Sequence, residues 1–263
     1  MVVEEISLVG QIRKQYVDNF LLSISFAILL IFAFFFLQFQ NMALFSGSVF
    51  FDYSFAQLAP EVVIAQAVAG LLFLSMYAIL LTLLILAVRN DLSHIKVHFY
   101  LREMVQKFFV VMAVYFVLIS VVFVGLVLLG QALSLSVVWM NLVLLILSLA
   151  LVFVPQSLVI DEKPIFESIR TNLYVILSHP IDFILVVVVS TVLVALLPLI
   201  EYLVDQVVPV GRFVSIILMF VVVIPVIEIL KTILYMRRFE LVRGHEYAQK
   251  KHPGLRGAIT HHK

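Results

Sequence analysis

The chain of 263 residues is 64% hydrophobic and 13% charged, with a mean hydropathy of +1.19. Soluble domains are about half apolar and about a quarter charged, so this composition excludes an ordinary soluble domain and is typical of a protein embedded in a lipid bilayer. The absence of cysteine excludes disulfides, cysteine-ligated iron–sulfur centres and thiol catalysis. The net charge is only +1, yet the basic residues are concentrated in a few short segments.

Uncharged runs long enough to cross a bilayer occur six times along the chain. A hydrocarbon core of about 30 Å requires about 20 predominantly apolar residues of helix. The predicted spans are residues 20–39, 62–88, 108–130, 137–160, 183–200 and 213–230. We therefore predict an all-α bundle of six transmembrane helices, with kinks at Pro155 in the fourth span and Pro225 in the sixth.

The connections between these spans alternate between basic and nearly uncharged. The N-terminal segment, the second and fourth connections and the segment from Lys231 onward hold two, four, two and eight basic residues, which is 16 of the 17 Lys and Arg residues in the chain. The opposite side of the membrane receives only Arg212. Because cytoplasmic connections carry the excess of Lys and Arg, both termini are predicted to be cytoplasmic.

A short segment with an amphipathic helical pattern precedes each odd-numbered span. In the last of the three, one face carries Ile165, Phe166, Ile169, Leu173, Ile176 and Leu177. Such helices lie in the headgroup plane, so the three segments predict a cytoplasmic collar around the spans. They also suggest a three-fold repeat with units 1–88, 89–160 and 161–236, followed by a basic tail at 237–263. The same pattern is expected of any six-span protein with cytoplasmic connections.

One stretch has a recognisable order of elements: LVFVPQSLVIDEKPIFESIRTNLYVILSHPIDFILVV. Its aromatic–proline span end, acidic pair and amphipathic ESIRTN helix resemble prokaryotic six-span membrane proteins related to the membrane domain of glycerophosphodiester phosphodiesterases. The resemblance covers residues 140–195 at the level of motifs and implies a multi-pass protein of a prokaryotic cell membrane. Related sequences tend to place a serine after the basic residue of this helix, where Thr171 and Asn172 follow Arg170. The phosphodiesterase domain is absent, so no catalytic residue is carried over.

The sixth span contains a carboxylate, Glu228, three residues after Pro225. Lys231 follows on the same helical face. The favoured interpretation is an interfacial pair that snorkels to the headgroups where the membrane ends. The alternative is a proton- or cation-coupled site that faces the interior of the bundle.

Two further pairs of polar residues have simpler interpretations. Asp161 and Glu162 are expected to cap the helix that follows them, because a helix N-terminus favours negative charge. His94 and His98 are spaced like two ligands on one helical face, but no third strong ligand follows them. We interpret them as solvated residues and predict no metal site.

The basic tail supplies candidate contacts for anionic lipid or for a protein partner, and these are Arg237, Arg238, Arg243, Lys250 and Lys251. The sequence has no phosphate-binding glycine loop, no HExxH and no GxSxG, so an enzyme is the weakest class, and no cofactor or nucleic-acid partner is expected. We expect a non-catalytic integral membrane protein that interacts with lipid headgroups or a cytoplasmic partner. The alternative is a membrane permease subunit of a transporter energised by a separate ATPase.

Overall fold

The computed structural model describes residues 7–31, 42–45, 48–51, 60–93 and 101–237; within these ranges only the backbone is described for 42–45, 48–51, 60–67, 101–106 and 137. The helices are α1 (Leu8–Asp18), α2 (Phe20–Ser25), α3 (Pro60–Ser93), α4 (Leu101–Ala132), α5 (Val137–Ala150), α6 (Val154–Ile160), α7 (Ile165–Ser178), α8 (Pro180–Asp205), α9 (Gly211–Leu218) and α10 (Ile224–Arg237). A 3-10 turn, Phe26–Ile28, continues α2, and a π-helical stretch, Met219–Val223, joins α9 to α10. Strands β1 (Met42–Phe45) and β2 (Ser48–Phe51) form a short antiparallel hairpin.

The prediction of an all-α membrane bundle is confirmed. Among the described residues, five helical segments are long and apolar enough to cross a membrane, and these are Val68–Ser93, Lys107–Ala132, Val138–Ile160, Pro180–Asp205 and Gly211–Arg237. A sixth is formed if the bent pair Leu8–Asp18 and Phe20–Ile31 is one span; the rest of the predicted first span lies outside the described residues. The helices extend beyond several predicted spans, because the backbone hydrogen bonds of a helix do not stop where its apolar run ends.

The amphipathic segments differ from one another in the structure. Helix α1 is bent by 73° from the helical segment that follows it, and α7 is separated from α8 by His179 alone. The second predicted segment has no break before its span, because α4 runs continuously from Leu101 to Ala132. Two of the three amphipathic segments are therefore separate helices in the described structure, while the cytoplasmic collar and the three-fold repeat stay predictions.

Helix α3 lies at the centre of the bundle and packs against α4, α6 and α10. Its rings form contacts on several sides: Phe73 lies edge-on to Phe220 of the π-helical stretch, with 6.0 Å between centroids, and Tyr77 lies 5.2 Å from Phe116 of α4. Helix α8, by contrast, has only three buried residues among its 26, and these are Val186, Ser190 and Leu197. Apolar side chains are unfavourable against water but not against lipid tails. Such an exposed apolar helix therefore fits a lipid-facing position.

The helix of the fourth span is interrupted immediately before Pro155. At Leu151–Phe153 the backbone tightens, and the N–H of Val154 donates to the carbonyl of Leu151. This turn leaves the Phe153 N–H and the Ala150 carbonyl without their usual helical partners. The buried side chain of Asn172, on α7, supplies both: its Oδ1 accepts from the Phe153 N–H at 2.8 Å, and its Nδ2 donates to the Ala150 carbonyl. One carboxamide thus completes the hydrogen bonding of the break.

The sixth span has a comparable break at Pro225. Proline has no N–H, so the carbonyl of Val221, four residues earlier, loses its α-helical donor. The hydroxyl of Tyr16, on α1, donates to this carbonyl at 3.1 Å. The π-helical stretch lies at the same place, as is common where the regular hydrogen-bond ladder is disturbed. Each proline break is therefore completed by a side chain from one of the two separate amphipathic helices.

We predict that Asn172→Leu lowers the free energy of unfolding by roughly 2–4 kcal/mol, because it leaves one backbone donor and one acceptor unpaired in an apolar environment. Denaturation in detergent micelles measures the loss, and hydrogen exchange at the Phe153 amide should accelerate. Asn141→Leu is the matched control, since Asn141 is exposed on α5. Unchanged exchange at Phe153 would show that the carboxamide does not support the break.

For the second break, Tyr16→Phe keeps the ring and removes only the hydroxyl donor to Val221. The expected loss of stability is about 1 kcal/mol, the usual net value of one neutral hydrogen bond. The double variant with Asn172→Leu should show additive losses in the same denaturation experiment, because the two breaks are completed independently. A Tyr16→Phe protein as stable as the wild type would contradict a structural role for this bond.

Candidate functional site

A buried ion pair lies in the last helix of the bundle. On α10, the Nζ of Lys231 donates to Oε1 of Glu228 at 2.8 Å, and the two side chains are 0% and 1% exposed. Gln156 of α6, also fully buried, donates from Nε2 to the other carboxylate oxygen of Glu228 at 2.9 Å. The Thr232 hydroxyl donates to the backbone carbonyl of Glu228. The site therefore joins a cation, an anion and an amide from two spans.

Two prolines, Pro155 and Pro225, precede the residues that form this site. Pro155 lies in the first turn of α6, so Gln156 comes directly after the break in the fourth span. Pro225 lies in the first turn of α10, and Glu228 follows it by less than one turn. A separation of three residues places Glu228 and Lys231 side by side on one helical face. Along the helix, Glu228 lies ~13 Å and Lys231 ~9 Å from Arg237, at about 1.5 Å per residue.

The interpretation of Glu228 and Lys231 as a snorkelling pair is wrong, since neither side chain reaches the surface of the bundle. The neighbouring helices enclose both side chains. An isolated charge at this depth would be strongly unfavourable, so each member of the pair depends on the other. The alternative interpretation of a bundle-facing site agrees with this placement, while its coupling to a proton or cation stays a hypothesis.

The hydrogen bonding of this site is incomplete. Oε1 of Gln156 has no partner among the described residues, although it is buried. The Lys231 ammonium has three donors and one described acceptor, Glu228. Chemically, the site holds a neutralised charge pair with spare donors and a spare acceptor. Among the described residues, no group of three or more His, Cys, Asp or Glu residues could hold a metal ion.

A second polar cluster lies at one end of the bundle, where Arg89, Lys107 and Lys163 form ion pairs with acidic residues. We call this end the basic end. Glu162, at the α6–α7 junction, lies 3.8 Å from Arg89 at the end of α3 and 3.4 Å from Lys107 near the start of α4. Asp161 accepts from the Tyr235 hydroxyl at 2.8 Å and lies 3.6 Å from Lys163. The two acidic residues thus tie helix ends together.

The expectation that Asp161 and Glu162 cap α7 is wrong. The N-cap position is Pro164, and no side chain accepts a hydrogen bond there. The chain turns between α6 and α7 with Glu162 at φ 56°, in the left-handed region, and this turn directs its carboxylate to the basic residues instead.

An open cleft of about 490 Å3 lies beside α7 at the basic end, and its lining residues are Lys163, Glu167, Arg170, Thr171 and Tyr174. Lys163 donates to the Thr171 hydroxyl at 2.9 Å, so the lysine lies along the wall of the cleft. Four of the five lining residues belong to α7. Together, the five lining residues supply two cationic side chains, two hydroxyl groups and one carboxylate.

The predicted tail contacts lie mostly beyond the described part of the chain. Arg237 is exposed at the end of α10 and donates to Oε1 of Gln11 on α1 at 3.4 Å. Arg238, Arg243, Lys250 and Lys251 lie outside the described residues, as do His94 and His98. The structure therefore brings one of the five predicted basic residues to the basic end, beside α1.

Three residues that matter to the architecture were not identified from the sequence: Tyr16, Gln156 and Asn172. Gln156 carried a usable signal, since it is a polar residue next to a proline within an apolar span. Asn172 and Tyr16 carried none, because each belongs to an amphipathic helix in which polar and interfacial aromatic residues are ordinary.

We predict that Glu228→Gln and Lys231→Met each lower the free energy of unfolding by roughly 3–5 kcal/mol, since each leaves one buried charge without its partner. The double variant should regain most of this loss, because a neutral pair replaces the ion pair. Denaturation of the four proteins in detergent gives the coupling energy from the double-mutant cycle.

Glu167→Gln removes an exposed carboxylate from α7 and is the matched control for the loss of charge. Small, additive effects in the cycle would mean that water screens the pair and that burial does not govern its energetics.

No protein-family model, curated protein or solved structure matches this chain. The relation to the membrane domain of glycerophosphodiester phosphodiesterases accordingly stays a prediction. The inferences about function below start from the geometry of the basic end and of the buried ion pair.

Proposed function

We propose that this chain is a non-catalytic, multi-pass protein of a prokaryotic cell membrane that binds anionic lipid headgroups at its basic end. The observation that carries the proposal is the exposed face of α7. Phe166 and Leu177 are 79% and 81% exposed, and Leu173 lies between them on the same face. These three residues form an apolar stripe that no described part of the chain covers.

The other faces of α7 explain why its stripe points outward. Ser168, Asn172 and Val175 are buried against the bundle, while Ile165, Ile169 and Ile176 pack at its edge. The predicted apolar face of six residues is therefore divided, with half of it against the core and half exposed. A helix held in this way next to charged residues suits the interface, where acyl chains cover the apolar stripe.

The charge distribution makes anionic lipid the preferred partner. Lys107, Lys163, Arg170 and Arg237 all lie at the basic end, as do Arg13 and Lys14 of α1. Each basic residue near a membrane surface attracts anionic lipid by about 1 kcal/mol. With 16 of the 17 Lys and Arg residues assigned to one side by the sequence, this end faces the cytoplasm in the proposed orientation.

The second candidate is a permease subunit energised by a separate ATPase. The buried Glu228–Lys231 pair and its bond to Gln156 favour it, because ionisable residues enclosed by spans often mark a solute or proton pathway. Such a subunit would present its cytoplasmic helices to the ATPase. The two candidates therefore assign different partners to the same basic end.

Purification from native membranes in a mild detergent, followed by mass spectrometry of lipids and proteins, distinguishes the two candidates. We expect phosphatidylglycerol or cardiolipin to be enriched over its share in the bulk membrane, and the enrichment to fall as salt is raised, because ions screen the attraction. A stoichiometric ATPase would support the second candidate. Retained lipid of bulk composition would refute the first.

A further inference from the structure

The cleft beside α7 has the chemistry of a site for one phosphate group. At 100° per residue, Arg170 and Tyr174 follow directly on the flank of the stripe formed by Phe166, Leu173 and Leu177. The polar cleft and the apolar stripe are therefore adjacent on one helix. A ligand with a phosphate group and acyl chains can contact both at once.

The ion pairs on the cleft wall show which cationic side chain is available to bind a phosphate. Lys163 is engaged by Asp161 at 3.6 Å and by Thr171 at 2.9 Å. Arg170 is exposed, and none of the carboxylates in the described structure lies within ion-pair distance of it. A guanidinium group offers a planar fork of donors that matches two phosphate oxygens. Arg170 is thus the available phosphate ligand in the cleft.

We propose that this cleft binds the headgroup of a single anionic glycerophospholipid, with the phosphate on Arg170 and the acyl chains along the apolar stripe. The Tyr174 hydroxyl adds a second donor to the phosphate, and Lys163, which stays bound to Asp161 and Thr171, contributes its positive charge to the cleft. Glu167, on the same wall, accepts a hydrogen bond from a headgroup hydroxyl, which makes phosphatidylglycerol the suitable probe. The inference rests on the proposed lipid binding and assigns it to a defined site.

The experiment compares Arg170→Gln with Arg13→Gln. Both residues are exposed and each variant loses one positive charge, but Arg13 lies on α1 and does not line the cleft. The full chain in maltoside micelles is titrated with dioleoyl phosphatidylglycerol, with the phosphatidylcholine analogue as reference, and native mass spectrometry measures the bound lipid. We expect Arg13→Gln to weaken phosphatidylglycerol binding by no more than about five-fold, because it loses only the general attraction of one basic residue. Arg170→Gln should weaken it about fifty-fold, because it loses one charge-assisted hydrogen bond in addition.

The outcomes separate the site from the proposed function. Equal losses in the two variants, with the preference of the wild type for phosphatidylglycerol intact, would overturn the cleft and leave general lipid binding in place. Absence of that preference in the wild type would overturn both. Glycerol 3-phosphate that displaces the lipid at equal concentration would show that the cleft takes a soluble phosphate ester, which contradicts the assignment of the acyl chains to the stripe.

Discussion

The architecture depends on the requirement that no backbone polar group be left unpaired in hydrocarbon. A proline within a span breaks this rule locally, and the chain contains such breaks at Pro155 and Pro225. In both cases the repair comes from a peripheral helix: Asn172 of α7 bridges the two sides of the first break, and Tyr16 of α1 donates at the second. The amphipathic helices are therefore structural parts of the bundle, and their positions are fixed by the spans that they complete.

The two breaks also determine where the buried charges meet. Gln156 follows Pro155, and Glu228 follows Pro225 within one turn, so the hydrogen bond between them joins the two interrupted spans directly beyond their breaks. Removing either charge alone exposes the other to an apolar environment, whereas a well-packed neutral pair avoids that cost. Compared with a well-packed neutral pair, the ion pair consequently adds little to the free energy of unfolding. What the site does provide is a hydrogen bond from Gln156 to Glu228 that links α6 to α10 at a defined point.

Much of the fold could be predicted from the sequence because the length of an apolar run reports directly on a span. The breaks could also be predicted, because proline acts locally on the helix that contains it. The side chains that complete the breaks could not be predicted: Tyr16 lies 205 residues from Val221, and Asn172 was noted only as a residue that follows Arg170. The burial of Glu228 was missed for a related reason. The distance along the helix from Glu228 to Arg237 indicates a depth in the membrane. Only the packing of other spans decides whether a residue at that depth is enclosed.

The hydrogen bonds at the Pro155 break also affect the proposed lipid site, because they hold α7 against the bundle. Moving α7 away from the bundle would leave the Phe153 N–H and the Ala150 carbonyl bare, at about 1–3 kcal/mol for each group, so the helix is held firmly in place. Arg170 and Tyr174 belong to the same helix, so the same bonds hold the backbone that carries them. A ligand at the cleft therefore meets side chains on a backbone that is already ordered, and less of the interaction energy is spent on ordering the site. The hydrogen bonds that complete the break in the fourth span thus also hold the helix that carries the proposed lipid site.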